Sequence, residues 1–343
     1  MTAAGPAFAI GVTRMFDSVE DVQKRLSEQD YICDRKISTV VFLAEKLEKP
    51  VLVEGPAGVG KTELAKVVAA ATGRRLIRMQ CYEGLDEAKA LYEWEYSKQL
   101  LYTQILKEKF TRVMEGATSL REAADRVGKE DSVFFSQQFI VPRPLLSAIS
   151  SPDSPLLLID EVDKSDPEFE AFLLEVLSDF QVTIPEIGTV ASTSKPTVFL
   201  TSNNAREMSD ALKRRCLHLF IDFPSADLER TILETKVPGI ERRMAEDLAN
   251  MMAKLRTLDL KKTPSISETL DWARALLALN AKDLDPDAVS QTLNVILKYE
   301  GDVRKAQAEL SKLLEKKAAA AKATAESASA VPTPTAVKKG ALH

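Results

Sequence analysis

A glycine-rich segment behind a short apolar run constrains this chain more than any other feature. Residues 55–62 read GPAGVGKT, and residues 50–53 before them read PVLV. Glycine, four residues, glycine, lysine and threonine form the pattern of a loop whose backbone N–H groups surround phosphate. Its glycines allow left-handed backbone and a close approach to an anion. Residues 63–68 favour a helix, whose N-terminus also attracts phosphate. The segment therefore predicts a nucleotide phosphate site.

Individual members of this loop have separate predicted roles. Lys61 supplies a positive charge for the β- and γ-phosphates, and the Thr62 hydroxyl is placed to bind Mg²⁺. We therefore expect ATP and Mg²⁺ at this site. The predicted nucleotide-binding residues are Gly55, Pro56, Ala57, Gly58, Val59, Gly60, Lys61, Thr62 and Glu63.

A second segment, residues 156–161, reads LLLIDE. Its four apolar residues fit a strand that is buried on both faces, and the two acids follow where the strand emerges. A strand that simply ends in solvated charges would have the same pattern. Because this segment lies downstream of a phosphate loop, we favour a functional role for its two acids. Asp160 is predicted to complete the Mg²⁺ shell, and Glu161 to orient and polarise the attacking water.

Composition limits the possible partners. The chain has 343 residues, enough for two domains, and a formal net charge of −5. The chain therefore has no overall positive charge that would attract nucleic acid, and a local basic patch is the alternative. Cys33, Cys81 and Cys216 are scattered, which favours buried free thiols in a reducing compartment.

Membrane insertion is not expected. No stretch reaches the roughly 18 apolar residues that a spanning helix needs. The apolar N-terminal run lacks the basic start of a signal peptide. We therefore expect a cytoplasmic protein.

Strand and helix patterns alternate in the first part of the chain, which favours a parallel sheet. Strands are predicted at 51–54, 76–80, 156–160, 197–201 and 217–222, and helices at 39–47, 62–72 and 167–178. After residue 224 only helices are predicted, at 227–235, 240–255, 267–279 and 286–299, with Gly301 as the last stop. From residue 323 the Ala/Ser/Thr/Pro composition predicts disorder.

These patterns divide the chain into four parts. We predict an N-terminal linker or helix at 1–35, an α/β ATPase domain at 36–225, a helical domain at 226–300, and a charged alanine-rich helix with a disordered tail at 301–343.

Five segments occur in an order that identifies a family resemblance. GPAGVGKT, LLLIDEVDK, QVTIPEIGTV, FLTSNN and ALKRRC precede the helical domain. In this order they resemble AAA+ ATPases, and within that superfamily the chain is similar to the MoxR-like ATPases over residues 15–300. The resemblance implies an α/β fold: a P-loop AAA+ parallel-sheet ATPase domain followed by a small all-helical lid.

Further site residues follow from the resemblance. Asn203 matches sensor 1, an amide that contacts the attacking water or the γ-phosphate, with Asn204 as the alternative. Arg215 matches the arginine finger, which contacts the γ-phosphate bound by a neighbouring subunit, and Arg214 shares the motif. A finger acting on a neighbour implies a ring, which is a homo-hexamer in most relatives.

Three features depart from this pattern or leave alternatives open. The usual second-sensor arginine is missing from residues 263–268, and Arg274, two turns further on, is the candidate substitute. A hairpin is expected at 181–190 and includes Glu186. In relatives such hairpins face a pore or a partner, and the alternative for this chain is a plain surface hairpin. Segment 81–154 is long enough for an insertion, and its aromatics either form a partner surface or pack against the sheet. These aromatics are Tyr82, Tyr92, Trp94 and Tyr96.

Two function classes fit the resemblance. The first is a chaperone-like ATPase that remodels or matures a client protein, with a metalloenzyme as one candidate client and a von Willebrand A-domain protein as a candidate partner. The second is a nucleic-acid motor or loader. The acidic balance favours the first. A small-molecule kinase would leave the sensor and finger residues without a role.

Overall fold

A computed structural model describes residues 14–98, 100–102, 104, 119, 139–185, 187–281, 283–284 and 286–310. Glu186 and the tail predicted from residue 323 lie outside the described residues. The chain divides into two compact units, Met1–Phe223 and Pro224–His343.

Within its described residues, the first unit contains nine strands, seven α-helices with defined bounds, a short 3-10 helix at Val162–Lys164 and further helical residues at 96–98, 100–102 and 104. In chain order they are α1 (Val19–Ser27), α2 (Arg35–Leu47), β1 (Val51–Glu54), α3 (Lys61–Thr72), β2 (Leu76–Gln80), α4 (Glu87–Leu91), β3 (Tyr92–Trp94), β4 (Ile140–Pro142), α5 (Pro144–Ile149), β5 (Leu156–Asp160), α6 (Pro167–Asp179), β6 (Gln181–Ile184), β7 (Gly188–Ala191), β8 (Thr197–Ser202), α7 (Asp210–Arg215) and β9 (Leu217–Phe220).

Five of these strands form one parallel sheet in the order β2-β5-β8-β1-β9. All residues of β1 and β5 are buried, as their continuous apolar runs require. The predicted parallel sheet is therefore confirmed. The last strand ends at Phe220, two residues earlier than predicted. The carboxyl ends of β1, β5 and β8 meet at one edge, where parallel α/β sheets place their ligands.

Segment 81–154 adds a small antiparallel pair, β3 with β4. Its four aromatics divide between two environments. Tyr92 is half-buried against the core and makes an edge-to-face contact with Trp94, with 5.9 Å between ring centroids. Tyr82 and Tyr96 are 49% and 71% exposed. The hairpin predicted at 181–190 also forms, from β6 and β7.

The described part of the second unit consists of helices and their connections, without strands. Its helices are α8 (Ala226–Lys236), α9 (Arg242–Leu255), α10 (Ile266–Ala278) and α11 (Pro286–Ile296), followed by helical residues 300–310. Buried apolar residues from all of them form one core, which includes Leu248, Trp272 and Leu293. None of the described helices of the chain is long and apolar enough to cross a membrane.

The prediction that Gly301 stops a helix was wrong. Helix α11 ends earlier, at Ile296, and Gly301 lies inside the helix at 300–310. That helix is held by the second unit, because buried Asp302 accepts hydrogen bonds from the backbone N–H groups of Lys261 (2.9 Å) and Lys262 (3.2 Å). Tertiary contacts therefore outweigh the low helix propensity of glycine here.

Candidate active site

The loop at 55–62 joins β1 to α3 at the carboxyl edge of the sheet. Gly55, Gly58 and Gly60 all have positive φ angles, and Gly60 precedes the first residue of α3. Gly55 has a second constraint, because a Cβ atom there would lie 1.9 Å from the carbonyl oxygen of Ile221. The loop conformation therefore needs glycine at this position for both backbone angle and space.

This close approach predicts a measurable loss of stability. Gly55→Ala should lower the free energy of unfolding by about 3 kcal/mol or more, because the new methyl group overlaps a backbone oxygen. Gly84→Ala is the matched control: Gly84 also has a positive φ, but open space surrounds its Cβ position. The control should lose only about 1 kcal/mol, the usual cost of left-handed backbone. Equal losses in urea denaturation would contradict the tight contact.

Lys61 connects the loop to the end of β8. Its side chain is buried, and its Nζ donates hydrogen bonds to the carbonyl oxygens of Gly55 (2.7 Å) and Pro56 (2.6 Å) and to Asn203 Oδ1 (2.8 Å). Burial lowers the pKa of Lys61 to about 8, while the nearby carboxylates of Asp163 and Asp160 oppose that shift. The cation therefore lies between the phosphate loop and the amide of Asn203.

The other predicted loop residues lie around this cation. Val59 is buried, Pro56 is half-buried, and Ala57 and Gly58 are exposed. Glu63 forms an exposed ion pair with Lys66 on α3 (3.5 Å).

Asp160 is buried at the end of β5 and binds groups from three other elements. Its Oδ1 accepts hydrogen bonds from the hydroxyls of Thr62 (2.9 Å) and Thr201 (2.6 Å). Its Oδ2 accepts from Arg78 on β2 through Nε (3.0 Å) and NH2 (2.6 Å). Thr62 and Asp160 together offer hard oxygen donors, which fit Mg²⁺. Sequence reasoning did not identify Arg78 or Thr201.

Glu161 follows Asp160 in a left-handed conformation, with φ 56° and ψ 49°. This conformation is strained for a residue other than glycine, and such strain is concentrated at functional sites. Its Oε2 accepts hydrogen bonds from Gln80 Nε2 (2.8 Å) and Lys164 Nζ (2.6 Å). Its Oε1 accepts a longer hydrogen bond from Asn203 Nδ2 (3.4 Å). The carboxylate is therefore oriented at the same edge as Lys61.

A buried carboxylate that sequence reasoning missed, Asp163, holds the segment after β8. Its Oδ2 accepts hydrogen bonds from the backbone N–H groups of Asn203 (3.1 Å) and Ala205 (2.9 Å). The signal available in the sequence was the acid of the segment VDK at 162–164, which directly follows Asp160 and Glu161. The structure brings Asn203 against Lys61 and Glu161, whereas the side chain of Asn204 contacts Ser202 instead (3.4 Å).

The three predicted arginines lie on α7 and α10. Arg214 and Arg215 are both exposed in the last turn of α7, and neither has an ion-pair or hydrogen-bond partner among the described residues. Arg274 lies in the second unit, on α10, and pairs with Asp271 (3.2 Å).

A glycine loop and an acidic strand end at one edge of a parallel sheet are the features of a P-loop nucleotide-binding fold. Comparison with known proteins makes the class more specific. Residues 50–216 match the AAA domain, dynein-related subfamily. This part of the chain is therefore similar to AAA domains.

Similar curated proteins come from staphylococci. The chain is 24% identical over 241 residues to an uncharacterized protein of Staphylococcus haemolyticus. The alignment covers 68% of this chain and 78% of that protein. The chain is 25% identical over 240 residues to an uncharacterized protein of Staphylococcus aureus, with coverages of 68% and 77%.

Among solved structures, the chain is similar to the Thermotoga maritima RuvB Holliday junction branch migration motor. The identity is 15% and the TM-score 0.41, with coverage of 83% of this chain and 72% of that chain. A second RuvB structure matches at 18% identity and a TM-score of 0.44, covering 81% and 71%.

Proposed function

We propose that this chain hydrolyses ATP, with the residues around Lys61 as the reaction site. The contact that supports this most is the one between Lys61 Nζ and Asn203 Oδ1, beside the Glu161 carboxylate. Lys61 binds the β- and γ-phosphates, and Glu161 accepts a proton from the attacking water. Asn203 orients that water or the γ-phosphate. These are the groups that phosphoryl transfer to water needs.

Thr62 and Asp160 would hold the Mg²⁺ ion. When bound, the ion would neutralise charge on the β- and γ-phosphate oxygens. Asp160 is already fixed by Thr201 and Arg78, so its carboxylate needs little reorganisation to act there. Such preorganisation is the protein's usual contribution to electrostatic catalysis.

Lys61→Ala should lower the affinity for Mg·ATP by about 10²-fold, because a charge-assisted hydrogen bond of about 3 kcal/mol is lost. Lys66→Ala on the same helix is the matched control, since its side chain is exposed and pairs with Glu63 at the surface of that helix. Isothermal titration calorimetry of both variants measures the difference. Equal affinities for the two variants would contradict the assignment of Lys61.

We propose that a second copy completes the site through Arg215, with Arg214 as the alternative finger. Two observations support this: both guanidiniums are exposed at the end of α7, and neither has a partner among the described residues. An arginine is the usual group for stabilising charge on a transferred phosphoryl group. The resemblance to AAA+ ATPases extends this proposal to a homo-hexamer.

For the wider role, we propose a MoxR-like chaperone that acts in the cytoplasm and remodels or matures a client protein. A metalloenzyme is the candidate client, and a von Willebrand A-domain protein the candidate partner. The order of the motifs and the net charge of −5 support this class. The alternative is a nucleic-acid motor or loader.

The two classes differ in their response to DNA. We expect the rate of phosphate release to be the same with and without single- or double-stranded DNA at low salt, where electrostatic binding is strongest. A rate that rises with DNA concentration would favour the nucleic-acid motor.

A further inference from the structure

Glu170 is a buried carboxylate on α6 that joins two segments around the proposed site. It is only 3% exposed. Its Oε2 accepts a hydrogen bond from Arg206 NH1 (2.8 Å), and its Oε1 accepts one from the backbone N–H of Ser209 (2.8 Å). Burial raises its pKa, but hydrogen bonds from Ser209 and Arg206 outweigh burial and lower the pKa below its usual value. The side chain is therefore a fixed anion with two specific partners.

The Ser209 contact determines where α7 begins. Ser209 is the N-cap of this helix, and its Oγ accepts a hydrogen bond from the Leu212 backbone N–H (3.3 Å). Helix α7 has only six residues and ends at Arg215. In so short a helix, a shift of the first residue moves the last one by a similar distance. Glu170 therefore contacts the start of the helix whose last residue is Arg215.

The Arg206 contact connects the same carboxylate to the Asp160–Asp163 region. Arg206 also donates from NH2 to the carbonyl oxygen of Ser165 (3.1 Å), just after the turn that contains Asp163. Asp163 in turn holds the backbone of Asn203. One buried acid thus connects the start of α7 to the segment that carries the proposed γ-phosphate contacts.

A second buried acid allows the contacts of Glu170 to be compared. The second unit contains it: Glu229 is fully buried and bonds Arg256 through both of its oxygens. That pair is bidentate, and Glu229 Oε1 also accepts a hydrogen bond from Thr269 Oγ1 on α10 (2.6 Å), so a buried acid joins several elements there as well. Glu170 differs in its second partner, because one of its oxygens accepts from the backbone N–H at the start of a helix.

We propose that Glu170 is a positioning residue for the arginine finger: it holds α7 so that Arg215 reaches the nucleotide of a second copy. This inference rests on the proposed function, in which Arg215 acts on a neighbour. Glu170 touches no reacting atom. Its loss should therefore affect hydrolysis at the neighbour's site and leave nucleotide binding at its own site intact.

Glu170→Ala should lower kcat by about 10²-fold, the usual cost of a misplacement of about 1 Å. Its Kd for Mg·ATP should equal that of the wild-type chain. Glu170→Gln keeps an acceptor for the Ser209 N–H and serves as the milder variant if Glu170→Ala unfolds. Glu207→Gln is the matched control, because it removes one charge nearby from an exposed pair with Lys213. The control should keep full activity.

Subunit mixing distinguishes the proposal from a role in the chain's own site. Glu170→Ala mixed with Glu161→Gln should regain phosphate release, since some interfaces combine an intact Glu161 with an intact finger. Glu170→Ala mixed with Arg215→Ala should regain none, because both chains lack a working finger. The opposite pair of results would overturn the proposal and place Glu170 with Asn203 in its own chain's site.

A third mixture, Arg215→Ala with Glu161→Gln, tests the function on which this inference rests. If it regains activity but Glu170→Ala with Glu161→Gln does not, the positioning role is wrong and the shared site stands. If it regains none in assemblies shown by native mass spectrometry to be mixed, the shared site and the positioning role are both wrong.

Discussion

Glu161→Gln is expected to bind Mg·ATP as tightly as the wild-type chain and to release phosphate about 10²- to 10⁴-fold more slowly. The range is the usual contribution of a general base. Glutamine keeps the size of the side chain, but it cannot accept a proton from water, and its NH2 group cannot replace the oxygen that accepts the long hydrogen bond from Asn203 Nδ2. Gln80 and Lys164, which hold the carboxylate, can still contact the amide oxygen. The loss should therefore appear in kcat and not in affinity.

Calorimetry with Mg·ATP and steady-state phosphate release measure the two quantities on one preparation. Glu168→Gln is the matched control, since it makes the same change at an exposed position at the start of α6. It should keep wild-type turnover. Turnover by Glu161→Gln at the rate of this control would exclude Glu161 as the base.

Arg215→Ala is expected to bind Mg·ATP normally and to lose about 10³-fold or more in kcat, as arginine fingers do. The reason is that charge developing on the transferred phosphoryl group would lose its positive partner. Because Arg215 is exposed and has no partner among the described residues, its removal should leave the melting temperature unchanged.

Phosphate release and thermal unfolding of Arg214→Ala and Arg215→Ala provide the comparison. Arg214 and Arg215 are adjacent in sequence, and both are exposed and positively charged, so each is a control for the other. A large loss of kcat in Arg214→Ala alone would assign the finger to Arg214. A loss of melting temperature in Arg215→Ala would indicate a structural role in its own chain.

The parallel sheet was predictable from sequence because β1, β5 and β8 are short, largely apolar runs bounded by a polar or glycine signal. Leu156–Asp160 was predicted to the residue, since burial on both faces removes polar residues until the strand emerges. The loop at 55–62 was equally clear, because its positive φ angles require glycine at fixed spacing.

Contacts between distant residues could not be predicted in the same way. Arg78 and Asp160 lie on different strands, and only the pairing of β2 with β5 brings them together. Asp163 and Glu170 look like surface acids in sequence, because their backbone partners after β8 carry no side-chain signature. Gly301 matched a stop signal, but the buried contacts of Asp302 keep that segment helical.

Single-turnover hydrolysis tests the central claim, that the residues around Lys61 cleave ATP, most directly. Protein is mixed in excess with γ-labelled Mg·ATP, and samples of the reaction are quenched at a series of times. The bound nucleotide is then separated from free phosphate. The wild-type chain should convert the label to phosphate, Glu161→Gln should retain intact bound ATP, and Lys61→Ala, with its lower affinity, should retain much less. Intact ATP bound to the wild-type chain throughout, or equal phosphate release by all three proteins, would contradict the claim.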